Sequence, residues 1–88
     1  MIEWVQTVEP ELVKRLVALE EAAFGHGGMN EWHLVPLIRH GRVYIVRKNQ
    51  EIVGLIEYML DWNCPEKAYM VGVSIDTKWR GRELVRNS

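Results

Sequence analysis

Met70-Val71-Gly72-Val73-Ser74-Ile75-Asp76-Thr77-Lys78-Trp79-Arg80-Gly81-Arg82 runs from an apolar segment into a basic turn built around one glycine. The apolar part is rich in β-branched residues and reads as a strand. A strand that feeds a basic, glycine-containing turn commonly presents backbone N–H groups to a phosphate, above all when a helix follows. Only six residues, Glu83 to Ser88, follow Arg82. That is short of the roughly 12 residues that an isolated helix needs. The expectation is a ligand-binding domain interrupted inside its anion-binding motif.

Working back from this stretch, Lys67 to Ile75 forms the fourth strand of the chain. Asp61-Trp62-Asn63-Cys64-Pro65 makes the turn before it, and Ile52 to Leu60 a long third strand with a bulge at Gly54. Lys48-Asn49-Gln50-Glu51 reads as a hairpin turn after the second strand, Arg42 to Arg47. Further upstream the period changes. Leu12, Val13, Leu16, Leu19 and Ala23 recur at helical spacing, with Pro10 suited to the first turn and Gly25 ending the element. Gly25 to Met29 is a loop, and Asn30 caps a second helix that runs to Gly41. Pro36 predicts a kink or split in that helix, because its ring removes a backbone donor. Ile2 to Gln6 supplies a short first strand. The order β-α-α-β-β-β predicts an α+β domain over residues 1–88, with a mostly antiparallel four-stranded sheet and two helices packed on it.

Composition narrows the function classes. The chain has 88 residues, 48% of them apolar, with seven glycines and three prolines, which suits one small globular domain. A formal net charge of −1 gives no electrostatic reason to expect nucleic acid or an anionic membrane as partner. The single cysteine, Cys64, excludes an internal disulfide and fits a reducing compartment. No apolar run approaches the roughly 20 residues of a membrane span, and Glu3 and Glu9 interrupt any leader pattern. A cytoplasmic location is the expectation.

The element order, joined to Val73-x-Ile75-x-x-x-x-Arg80-Gly81-Arg82, resembles the GNAT superfamily of N-acetyltransferases. In that family the fourth strand leads into an R/Q-x-x-G-x-G/A loop and a helix that hold the pyrophosphate of acetyl-coenzyme A. The resemblance implies that Val73 and Ile75 offer backbone groups to the pantetheine arm. It places Arg80, Gly81 and Arg82 on the phosphates. It spans essentially the whole chain, but only the N-terminal half or somewhat more of a family domain.

The match breaks at Glu83 and Val85, which stand where the R-G-x-G-x-G form has glycines. Glycine lets the backbone approach a phosphate closely. A carboxylate about 4 Å from a phosphate costs roughly 1 kcal/mol in water and about 4 at an effective dielectric of 20. Glu83 to Ser88 can be encoded GAA TTG GTA CGA AAC TCN, and one restored G gives GGA ATT GGT ACG AAA CTC. That reads Gly-Ile-Gly-Thr-Lys-Leu, the family's continuation. The expectation is a truncated, frameshifted acetyltransferase, inactive as it stands, whose intact parent acetylates an amine.

Acetyl transfer needs a neutral amine, and an amine with pKa near 10.4 is protonated at pH 7. A base must therefore take its proton. Glu57 on the third strand is the first candidate, ahead of Asp61 and Tyr69, and a place on the solvent face of the sheet is the stronger expectation for it. His26, His33 and His40 lie seven apart but lack a completing carboxylate or cysteine, so surface or capping roles are expected and no metal. Trp4, Trp32 and Trp62 are expected mostly in the core, with Trp79 beside the loop. Cys64 has no activating neighbour in sequence and is not expected to be catalytic. Truncation after the fourth strand predicts a homo-oligomer that covers the exposed edge. The alternative is a small non-catalytic module that binds partners through that same edge. A nucleic-acid binder using Lys78, Arg80, Arg82 and Arg86 is disfavoured by the balanced charge.

Overall fold

The computed structural model describes residues 1–76. Its elements are β1 (Ile2–Val5), α1 (Pro10–Phe24), a 3-10 turn (Gly25–Gly27), α2 (Glu31–His40), β2 (Arg42–Lys48), β3 (Glu51–Leu60) and β4 (Ala68–Ile75). The strands form one sheet in the order β1-β2-β3-β4, antiparallel throughout. This is the expected α+β plan. The basic turn, with Arg80, Gly81, Arg82 and Trp79, lies outside the described residues.

Local chemistry explains the helix limits. Pro10 opens α1, where its missing N–H loses nothing, and Glu11 faces the positive end of the helix dipole. Gly25 closes it at φ +65°, donating its N–H to the Glu21 carbonyl. Helix α2 begins with a reciprocal cap: Asn30 Oδ1 accepts from the Trp32 N–H at 3.0 Å. His33 Nδ1 accepts from the Asn30 N–H at 3.3 Å. His33 is thus a capping histidine, and His40 is an exposed residue in the last turn. The split expected at Pro36 does not occur, since α2 is one element across that position. The bond that Pro36 forgoes is to the Trp32 carbonyl, in an exposed first turn where water can replace the donor.

The β2–β3 hairpin turns on Asn49 and Gln50 alone, both at positive φ, which matches the twist of the flanking strands. Lys48 and Glu51 are strand residues. Val46 opposes Gly54 and Arg47 opposes Ile52, so the extra residue of the bulge is Val53, immediately before the expected Gly54. A second bulge was not foreseen. Glu57 opposes Gly72 and Tyr58 opposes Met70, which leaves Val71 as the extra residue of β4.

Both helices cover one face of the sheet. Val43, Ile45 and Leu55 from the strands meet Leu16, Leu34 and Ile38 from the helices, all buried. Each such side chain contributes about 1.5–3 kcal/mol by leaving water. The opposite face carries Ile2, Trp4, Tyr44, Ile56, Tyr58 and Val73, as the alternating register requires. No described element covers it. The tryptophans correct the sequence expectation: Trp4, Trp32 and Trp62 are 45%, 82% and 87% exposed. The helix-side core is filled by aliphatic residues, and Trp4 lies on the uncovered face beneath the Arg42 guanidinium, 4.6 Å from it.

Candidate functional site

Residue 57 sits on the helix-facing side of β3, opposite Val43 on one flank and Gly72 on the other. The period-2 pleat puts it in line with Leu55, so the Glu57 carboxyl enters the apolar layer under the helices. It is 0% exposed. The solvent-face expectation is therefore overturned: the alternation places this position inward with the core residues. No described group gives a hydrogen bond to Glu57 Oε1 or Oε2.

Helix α1 lays a second carboxylate against the first. Glu20 follows Leu16 by four residues, on the buried stripe of α1, and is 2% exposed. Its Oε2 accepts the Met29 N–H at 3.3 Å. Burial first, then the proton-sharing approach and negative charge of Glu20, push the Glu57 carboxyl up to about 8. As two carboxylates the groups cannot bond each other; a proton on one makes the pair a donor and an acceptor. Room for Glu57 comes from β4, where a Cβ on Gly72 would stand 2.9 Å from Oε1. Ser74, two residues along β4, is also buried, and its hydroxyl has no partner among the described residues.

Sequence reading missed Glu20. The signal was available: a carboxylate occupies a position of the helical period that Leu12, Leu16 and Leu19 mark as inward.

The remaining candidates are dispersed. Tyr69 opposes Met59, two residues along β3 from Glu57, and is exposed. Asp61 caps its own turn, its Oδ1 accepting the Asn63 N–H at 2.9 Å. Val73 opposes Ile56 and Ile75 opposes Gly54, both on the uncovered face. Among the described residues no strand pairs with the outer edge of β4, so backbone groups there face outward. Cys64 Sγ donates to Glu66 Oε1 at 3.1 Å, and that bond raises the thiol pKa, the opposite of nucleophile activation. Among the described residues no group of three or more His, Cys, Asp or Glu side chains could hold a metal ion. No helix among them is long and apolar enough to cross a membrane.

Comparison with known proteins agrees with the fold. The sequence pattern described as the acetyltransferase (GNAT) family matches residues 9–87. A solved structure described as "GphF GNAT-like decarboxylase in complex with isobutyryl-CoA" superposes with a TM-score of 0.73 at 14% sequence identity. The superposition covers 99% of this chain and 55% of that one. At this identity the likeness shows the fold. A search of curated proteins found no match.

Proposed function

The chain belongs to the acetyltransferase (GNAT) family, and from that premise we propose that it is the base-bearing N-terminal part of an enzyme moving acetyl from acetyl-coenzyme A to an amine. The observation that carries this reading is Glu57: a buried carboxyl without a hydrogen-bond donor among the described residues, directly beside the point where Val71 bulges out of β4. An ordinary carboxylate is a poor base toward an ammonium ion. A carboxyl whose pKa stands at about 8 is the stronger base in its ionised form, which gains population as pH rises through that value. Because the carboxyl is enclosed, it draws the amine proton through a water and not by direct contact. Tyr69 is the second candidate for this role.

The outward backbone groups of Val73, on the β4 edge that no described strand pairs, fit a pantetheine arm, which hydrogen-bonds as a peptide does, and Ile75 on the same strand is the other residue assigned to that arm. Arg80, Gly81 and Arg82 would hold the phosphates. The cosubstrate supplies the acyl thioester. The structural neighbour's isobutyryl-CoA supports an acyl-CoA ligand of this general class. The chain spans 55% of that neighbour's length. The amine belongs to a small molecule or to a protein side chain, and the proposed location is cytoplasmic.

Calorimetry with coenzyme A tests this. Heat of binding that Arg80→Ala and Arg82→Ala weaken supports the cofactor reading. Absence of heat at millimolar coenzyme A rejects it for this chain. The second reading, a non-catalytic module that self-associates, is favoured by one observation: no described element covers the apolar sheet face and no described strand pairs with the outer edge of β4.

A further inference from the structure

We propose that Glu20 is a positioning residue for Glu57: the two carboxyls form a buried pair that holds one shared proton, with Glu20 fixed in place by the Met29 amide. The proposal deepens the reading of Glu57 as the base and rests on it for its functional meaning.

The geometry carries it in three steps. Helix α1 brings Glu20 onto its buried stripe, and β3 brings Glu57 onto the same apolar layer. Two ionised carboxylates there would each lack the solvation that burial removes, and they would repel each other. Next, Glu20 is tied on one side only, by the Met29 N–H at 3.3 Å. Glu57 is tied by nothing among the described residues. A proton on Glu57 completes the set, since Glu57 then donates and Glu20, already anchored, accepts. Finally, Gly72 is the one residue of β4 opposite Glu57, and its lack of a side chain leaves the carboxyl its space.

Beside Glu57 stand Glu20 from α1, Gly72 from β4 and Val43 from β2, and the Met29 side chain approaches Gly72 from the loop. No described lysine, arginine or histidine forms an ion pair with either carboxylate. The raised Glu57 pKa agrees with a proton held between the two groups.

Carbon-13 carboxyl NMR of the 88-residue chain, titrated without coenzyme A, reads the pair directly. The expected result is a Glu57 midpoint near 8, with the Glu20 resonance inflecting at the same midpoint. In Glu20→Gln the Glu57 midpoint falls by about one pH unit or more. Independent midpoints in the native chain overturn the proposal, as does a Glu57 midpoint that Glu20→Gln leaves unmoved. The native titration decides the matter even if the variant does not fold. Because no cofactor is present, a failed pair and a failed cofactor site give separate results.

Discussion

At the scale of single residues, Glu57 makes folding depend on pH in a direction opposite to most carboxyls. Its pKa rises from 4.5 to about 8 on folding, so the native chain binds a proton more tightly than the unfolded one. Stability from this group is complete below pH 4.5 and is lost as pH rises through about 8. The slope in that window is about 1.4 kcal/mol for each pH unit. Urea denaturation at a series of pH values should show this decline in the native chain and a flat profile in Glu57→Gln, whose amide can still donate to Glu20. An equal slope in both proteins would remove Glu57 as its source. Gly72→Ala is the companion test, because the new Cβ meets Oε1 at 2.9 Å inside a packed layer. The carboxyl must shift, and a loss of about 1–3 kcal/mol is expected from the same denaturation curves. Of this site, the sequence shows Glu57 as a candidate base through its strand position. The partner and the burial are hidden until the register is known, because one residue of slip would turn Glu57 outward.

Among the elements, those with strong local signals were legible: Pro10 and Gly25 bracket α1, and Asn30 starts α2. What could not be read were effects decided by exposure and pairing. Pro36 breaks a bond in α2 without dividing it, because the orphaned carbonyl lies in an exposed turn. Val71 becomes a bulge only through the mismatch between β3 and β4, which no local motif announces. The tryptophans were placed inside on size alone, whereas the helices cover just one side of the sheet. The α2 cap offers a test at this scale. Asn30 side chain and backbone both take part, so Asn30→Ala leaves the Trp32 N–H without its acceptor. Thermal unfolding should report a loss of about 1 kcal/mol, with Asn30→Asp close to the native value. A neutral Asn30→Ala would mean that α2 is held by Leu34 and Ile38 alone.

For the whole molecule the decisive feature is one-sidedness: among the described residues two helices lie on one face of the sheet and none on the other. The open face is apolar along β1, β2, β3 and β4, and it includes a groove of about 430 Å³ bordered by Ile2, Tyr44, Ile56 and Tyr58. Its flank is β4, whose outer edge pairs with no described strand. A face that no described element covers and an edge that no described strand pairs favour burial against a second copy, the face supplying apolar area and the edge backbone hydrogen bonds. Light scattering at micromolar concentration should therefore give a mass of at least twice 10.3 kDa. The association should persist in 0.5 M salt, since apolar burial is not screened as charge pairs are. Val73 belongs to both features, on the edge strand and on the open face. Val73→Lys should return the chain to a monomer with its unfolding midpoint nearly unchanged, because the side chain is already exposed. Ala18→Lys, on the exposed side of α1, is the control and should leave the mass as it was. A monomeric native chain, or a Val73→Lys variant that still associates, would place the contact elsewhere and leave the open face without a partner.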